Sequence, residues 1–227
     1  IVDDPQLDIV TIQGRANEAR ETAKRSKPGS VNVCAFYTND GRSRMLREKE
    51  IENRMGAALA AGEFEVYLQP KVELRWNSVA GAEALVRWRD RTRGLLPPSE
   101  FIPLFEQNGF IVKVDLYVFE QVCRLLRKWL DEGKKPMPIS VNLSRVHLRS
   151  LDILAPYDEI RARYDVPPEL LEFELTETVA FENAEALRMV LGEFHQRGYR
   201  CSLDDFGSGY SSLNMLNDLN IDVIKLD

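Results

Sequence analysis

The chain is expected to fold as an α/β protein: a (β/α)8 TIM-like barrel with an antiparallel first strand, the last two strands being absent from this chain. Three observations lead there. From residue 138 onward, strand-length apolar runs alternate with helix-length amphipathic runs, the pattern of a parallel sheet covered by helices. Before them, two strand patterns, Phe64–Lys71 and Val79–Trp88, are separated by little more than residues 74–78 (LRWNS). A parallel crossover needs about a dozen residues or more, so these two form an antiparallel hairpin. Finally, each later strand stays apolar until its C-terminal end, where Asn142, Glu174, Asp204 with Asp205, and Lys225 with Asp227 enter. Barrel sites are built at that mouth from the ends of several strands. A doubly wound sheet shares the alternation, but no glycine-rich phosphate loop follows the first strand.

Taken from the start, Leu7–Lys27 reads as a helix with Ala16, Ala19 and Ala23 on one stripe. Residues 26–30 (SKPGS) break it before the apolar run Val31–Tyr37, which reads as a strand. A helix and a strand make no domain, so residues 1–41 are expected to be the tail of a preceding one. Arg44–Ala61 reads as a linker helix, apolar at Ile51, Met55, Leu59 and Ala60, giving a linker over 42–62 and the barrel over 63–227. After Trp88 a polar loop, Arg89–Ser99, leads to Phe101–Phe105. A helix then runs from about Asp115 to Leu130, with Leu116, Phe119, Val122, Cys123, Leu126, Trp129 and Leu130 on one face and Gly133 ending it. The remaining elements are strand Pro138–Ser144, strand Leu170–Thr176, helix Glu182–Gln196 closed by Gly198, strand Arg200–Asp205, a short helix near Ser211–Leu219, and strand Asp222–Asp227.

Composition narrows the function. A formal net charge of −6 argues against double-stranded nucleic acid as a partner. No run approaches the ~20 apolar residues of a membrane span, so this segment is expected to make no membrane contact. The first residues lack an initiator Met and a leader pattern, and the chain is expected to be cut from a longer protein, in which any membrane anchor would lie in the preceding N-terminal region. Three widely spaced cysteines, Cys34, Cys123 and Cys201, each in an apolar run, read as reduced core thiols and hence a cytoplasmic location. His147 and His195 lack metal-ligand spacing, so any metal must be held by oxygen.

The run Ala82–Trp88 (AEALVRW) poses the chemical question. Alternation sends Glu83, Leu85 and Arg87 to one face, either as a buried ion pair or as the start of a site where Glu83 holds a cation and Arg87 an anion. With the other strand ends turned inward, the mouth collects Glu83, Asn142, Glu174, Asp204, Asp205 and Lys225. So many carboxylates resist ionising together unless cations sit among them. All-oxygen ligands suit Mg2+ or Mn2+, and two ions suit the acid count. A paired-metal site serves in-line displacement at phosphorus, which points to hydrolysis of a phosphate ester. The bland alternatives are a strand amide for Asn142, a surface amide for Gln69 and a solvated strand-end lysine for Lys225. Glu172 shares the face of Glu174 but lies deeper.

The run GAEALVRW, with YLQP upstream and VNLS, ELTE, DDFGSGYSSL and IKLD downstream in that order, resembles the EAL domain family of cyclic di-GMP phosphodiesterases from about Glu50 to the end. The resemblance implies that Glu83, Asn142, Glu174, Asp204 and Asp205 bind two Mg2+ or Mn2+ ions, with Lys225, Glu83 and Asp204 at the chemistry. It implies that Arg87 holds a substrate phosphate, that Gln69 contacts the ligand near a guanine, and that Asp227 belongs with them. Glu177 and Ser208 would organise the loop after the sixth strand, which takes part in family homodimers. The implied reaction opens cyclic di-GMP to linear pGpG, and the implied alternative is an inactive receptor or a dimerisation scaffold. Ser208 replaces a usual Thr, and Phe105 a usual small residue. A further family glutamate and glutamine fall beyond Asp227, so the natural protein is expected to continue. Residues 1–41 resemble the end of a GGDEF-type domain.

Overall fold

The computed structural model of the chain describes residues 7–26, 34–149, 153–176, 184–207 and 219–226. The chain divides into two compact units, Ile1–Ala57 and Ala58–Asp227. The first unit holds helix α1 (Ile9–Ser26) and most of helix α2 (Asn39–Ala60). Each starts on a side-chain cap. Asp8 accepts from the Thr11 amide at 2.9 Å, and Thr38 Oγ1 accepts from the Gly41 amide at 3.0 Å, satisfying amides that no helical carbonyl reaches. The expected strand over Val31–Tyr37 does not form where the chain is described. Residues 34–38 carry no regular structure, and Cys34 is exposed rather than in a core. An apolar run with no strand beside it has no ladder to complete its backbone hydrogen bonds.

The second unit is built on a curled sheet. Its strands are β1 (Phe64–Glu73), β2 (Ser78–Asp90), β3 (Gly94–Leu96), β4 (Ile139–Asn142), β5 (Leu171–Thr176), β6 (Arg200–Phe206) and β7 (Val223–Leu226). They lie in the order β1-β2-β4-β5-β6-β7, with β3 paired to β2. β1 is antiparallel to β2, as the short turn requires, β3 is also antiparallel to β2, and β2, β4, β5, β6 and β7 pair in parallel. The β1–β2 turn is closed at Asn77, whose φ of 45° is a left-handed conformation that asparagine tolerates. Strand β3 lies within what reads as a polar loop; three residues are too few for an alternation signal.

Among the described residues, this unit also holds helices α3 (Pro98–Asn108), α4 (Ile111–Asp131), α5 (Ala155–Arg163) and α6 (Ala184–Gln196), with 3-10 turns at Arg145–Arg149 and Pro168–Leu170. Pro98 opens α3 at a position where its missing N–H costs nothing. α4 begins four residues earlier than its apolar periodicity suggests, so its buried face is Ile111, Val114, Val118, Phe119, Val122, Cys123 and Leu126. Leu116, Trp129 and Leu130, expected on that face, are only half-buried. Gly133 ends α4 with φ 69°, and the amide of Lys134 reaches back to the Trp129 carbonyl at 2.9 Å. The helix expected near Ser211–Leu219 lies, apart from Leu219, outside the described residues.

The core lies on the helix side of the sheet. On β2 the buried side chains are those of Ala84, Trp88 and Asp90, while Glu83, Leu85 and Arg87 on the opposite face are half-buried. Trp88 packs on Phe64, Phe101 and Phe105 at ring separations of 5.1, 6.0 and 6.2 Å. A second aromatic group joins Phe173 of β5 to Phe119, Tyr157, Phe194 and Tyr199. Such edge-on and offset contacts add about 0.5–1.5 kcal/mol each beyond burial. Because that face holds the apolar contacts, the other face of the sheet is left to polar chemistry. No helix among the described residues is long and apolar enough to cross a membrane.

A candidate cation site at the strand ends

Pairing in register puts partner side chains on the same face of a sheet. Gln69 is opposite Glu83, Glu83 opposite Ser140, and Ser140 opposite Glu172; one step further along, Asn142 is opposite Glu174 and Glu174 opposite Ser202. Asp204 and Lys225 follow Ser202 and Val223 by two residues and so continue that face. Six strands, β1, β2, β4, β5, β6 and β7, thus deliver their polar residues to one face, although Glu83 and Lys225 are 142 residues apart.

The Lys225 ammonium is at the centre. Its Nζ lies 2.9 Å from Glu83 Oε2, 2.9 Å from Glu174 Oε2 and 3.1 Å from Asp204 Oδ2. Ligand oxygens of these same three acids lie within 4.8 Å of one another. Burial opposes the Lys225 charge, but hydrogen bonds to Glu174 and Glu83 outweigh it and raise its pKa above the ordinary lysine value. Asn142 Nδ2 donates to Glu83 Oε1 at 3.1 Å, orienting that carboxylate.

Glu174 has no exposed side-chain surface, and both its oxygens are held. Oε2 receives Lys225, and Oε1 receives Lys71 Nζ at 2.8 Å; the same Lys71 ammonium donates to Glu172 Oε1 at 3.0 Å. Burial pushes the Glu174 carboxyl up, and the bonds from Lys71, Ser140 and Lys225 more than reverse this, leaving its pKa lowered. Lys71 is a member of the site that sequence reading missed. Its signal was available: two residues after Gln69, it lies on the same face of β1, and its pairing with Gly81 points it inward. It also resolves Glu172, whose buried carboxylate is the counter-ion of Lys71.

Glu83 and Arg87 share a face without serving each other. Arg87 Nη1 donates to the Val86 carbonyl at 2.8 Å, while Glu83 pairs with Lys225. Arg87 lines a cavity of about 230 Å3 whose wall also includes Asn142, Glu174 and Thr176, with apolar Leu85, Pro98 and Ile102. Beside it, Ser144 Oγ donates to Glu106 at 2.7 Å and the Ser144 amide donates to Asp115 Oδ2 at 3.2 Å. His147 Nε2 lies 2.9 Å from the same Asp115 oxygen and 3.1 Å from the Tyr157 hydroxyl. Burial raises the Asp115 carboxyl pKa against these bonds. This network ties the chain just beyond Asn142 to α3 and α4, and nothing in the local sequence pattern announces it.

Asp205 adopts φ 56°, and its amide donates to Asp204 Oδ1 at 3.0 Å. Between Leu203 and Phe206, β6 takes one residue more than β7 does between Ile224 and Leu226, a bulge that breaks the alternation at Asp205. The acid group found together is Glu83, Glu174 and Asp204, with Asn142 attached through Glu83. Gln69 is exposed beside Glu83. Glu177, Ser208 and Asp227 lie outside the described residues.

The donor set fits a hard cation. An ammonium already stands among three carboxylates, and around it four acids, counting Glu172, face two lysines, so the group is net negative. Oxygen donors alone, with no His or Cys in the group, suit Mg2+ or Mn2+ over zinc.

A curled, mostly parallel α/β sheet with an antiparallel first strand and acids gathered on one of its faces defines a half-barrel with a candidate cation site. Residues 52–227 match the family model described as EAL domain, and the chain belongs to that family. It is 34% identical over 220 residues to the Escherichia coli cyclic di-GMP phosphodiesterase PdeR, covering 97% of this chain and 32% of that protein. It is 32% identical over 202 residues to the Pseudomonas aeruginosa bifunctional diguanylate cyclase/cyclic di-GMP phosphodiesterase MucR, covering 89% of this chain and 30% of that protein. The chain thus spans about a third of the length of these two curated relatives. Among solved structures, a PaMucR phosphodiesterase in complex with c-di-GMP superposes with a TM-score of 0.74 at 34% identity, covering 78% of this chain and 72% of that one.

Proposed function

We propose that this protein is a cyclic di-GMP phosphodiesterase that hydrolyses its substrate to linear pGpG with the help of divalent cations, on a barrel of the (β/α)8 type. The observation that carries this reading is the convergence of Glu83, Glu174 and Asp204 on a single ammonium, next to a cavity lined by Arg87. Membership of the EAL family and the activities in the names of PdeR and MucR supply the substrate.

Glu83, Asn142, Glu174, Asp204 and Asp205 would hold Mg2+ or Mn2+, two ions in all, Asn142 through its amide carbonyl. When bound, such cations supply Lewis acidity to a phosphate ester and make water a better nucleophile at neutral pH. The chain's own residues do the positioning. Arg87 presents a planar fork of donors suited to a phosphate in the adjoining cavity, whose apolar wall suits a base. Gln69 and Asp227 hold the substrate near it. Lys225 Nζ, a donor in every contact it makes here, orients the attacking water by hydrogen bonding and stabilises charge developing at phosphorus. Glu177 and Ser208 support the loop after β6, through which we expect a homodimer. Residues 1–41 are read as part of a GGDEF-type domain, and the protein as cytoplasmic.

The test is incubation of purified protein with cyclic di-GMP and Mn2+, following pGpG chromatographically. We expect product, its loss on chelation, and at least a ~100-fold fall in turnover for Glu83→Gln with the fold intact by circular dichroism. Tight binding of cyclic di-GMP with no product identifies a receptor instead.

A further inference from the structure

We propose that Lys71 is a positioning residue of the cation site, which fixes Glu174 by its Oε1 so that only Oε2 faces the space where a cation binds. This rests on the cation-binding reading above.

The two lysines at Glu174 differ in what else they touch. Lys225 contacts all three acids of the candidate ligand group, Glu83, Glu174 and Asp204, and so stands where a cation would stand. A divalent ion held by these three acids would take up the space that its ammonium occupies. Lys71 contacts Glu174 from the other oxygen, and its second partner, Glu172, is outside that group. Nothing about cation binding requires Lys71 to leave. It approaches from β1, on the far side of Glu83 from β4, whereas Lys225 approaches from β7. Glu174 is therefore held between opposite walls until a cation takes the place of one of them.

The fully buried Glu174 side chain cannot replace a lost ammonium with water as a surface acid can. Without Lys71, Oε1 is left bare in the interior, and the carboxylate can turn to offer both oxygens to one ion or swing toward the freed Glu172 side. A partner that orients a metal ligand typically sets affinity by about 10–100-fold. Glu172 gives Lys71 a second anchor, so that the ammonium is aimed rather than merely present.

The measurement is Mn2+ affinity of the full-length protein, read from the electron paramagnetic resonance signal of free Mn2+, which needs no turnover. K71M is expected to weaken Mn2+ binding by about 10–100-fold, and K71R to recover part of the loss. The double variant K71M/E172Q removes the unpaired Glu172 charge, protecting the fold, and is expected to bind Mn2+ as weakly as K71M. Recovery of wild-type affinity in the double variant would mean that Lys71 only neutralises Glu172, and overturns the proposal. So does a folded K71M with unchanged Mn2+ affinity. Wild-type protein that binds Mn2+ but leaves cyclic di-GMP intact sinks the hydrolase reading and leaves the role of Lys71 standing; wild-type protein that binds no Mn2+ overturns both.

Discussion

Gly81 and Glu83, two residues apart on β2, illustrate how a side chain of the candidate site is placed by a neighbour without chemistry. A Cβ on Gly81 would stand 2.9 Å from the Pro138 carbonyl oxygen, a backbone atom, where no real side chain fits. That close approach lets the Ala82 amide donate to the same carbonyl at 3.0 Å and starts the β2–β4 pairing that aligns Glu83 with Ser140. Gly81→Ala must push the strands apart. We expect a loss of about 1–3 kcal/mol in urea unfolding, as overpacking commonly costs, together with weaker Mn2+ binding. An unchanged unfolding midpoint would show that β4 yields freely. Arg87 tells the complementary story. Its guanidinium, freed from Glu83 by Lys225, rests on a main-chain carbonyl and borders the cavity, and that is the condition for binding an anion.

At the scale of elements, the joint between α6, β6 and β7 is stitched by Asp222. Its Oδ2 accepts the Cys201 amide at 2.8 Å and lies 2.9 Å from His195 Nε2, and its own amide donates to the Cys201 carbonyl at 3.0 Å. Burial raises the Asp222 carboxyl, and the Cys201 amide and His195 outweigh it, so its pKa lies below the ordinary 3.8. A depressed folded-state value means stability present above the unfolded value and lost as pH falls through the folded one. The stability gap between wild type and Asp222→Asn should therefore be present at neutral pH and close as pH falls below about 4, in urea titrations at stepped pH. A gap that persists well below pH 3.8 would assign the effect to packing instead. The bulge in β6 is an element-scale feature too: it interrupts the strand's alternation at Asp205, which is not among the acids gathered on Lys225.

For the whole molecule, the site is an electrostatic problem spread over five strands. Four acids and two lysines are drawn from β1, β2, β5, β6 and β7, and a cation that binds only the folded arrangement stabilises all of it. At about 100 times its dissociation constant a ligand adds about 2.7 kcal/mol. For a chain of this size that raises Tm by roughly 5–10 °C. Calorimetry with and without Mn2+ should show this rise, and Glu83→Gln should lose most of it. An equal rise in the variant would place the ion elsewhere.

Much of this architecture was legible in the sequence, because its signals are local. A turn of a few residues dictates a hairpin, alternation assigns faces, and polar residues at the ends of apolar strands mark a mouth. Glu83, Asn142, Glu174, Asp204 and Lys225 were all visible on those grounds, and the family is plain from the motifs around them. Weaker local signals misled or fell silent: Val31–Tyr37 is apolar but finds no strand partner over its described part, α4 starts earlier than its periodicity, and β3 is too short to read. Only the tertiary structure decided who pairs with whom. That Lys71 holds Glu172 and Glu174 across 101 and 103 residues, that Lys225 rather than Arg87 answers Glu83, and that Ser144 is tied to α3 and α4 depend on sheet order and register. Periodicity fixes the face on which a side chain lies, but its partner is chosen by strands that meet only when the chain folds.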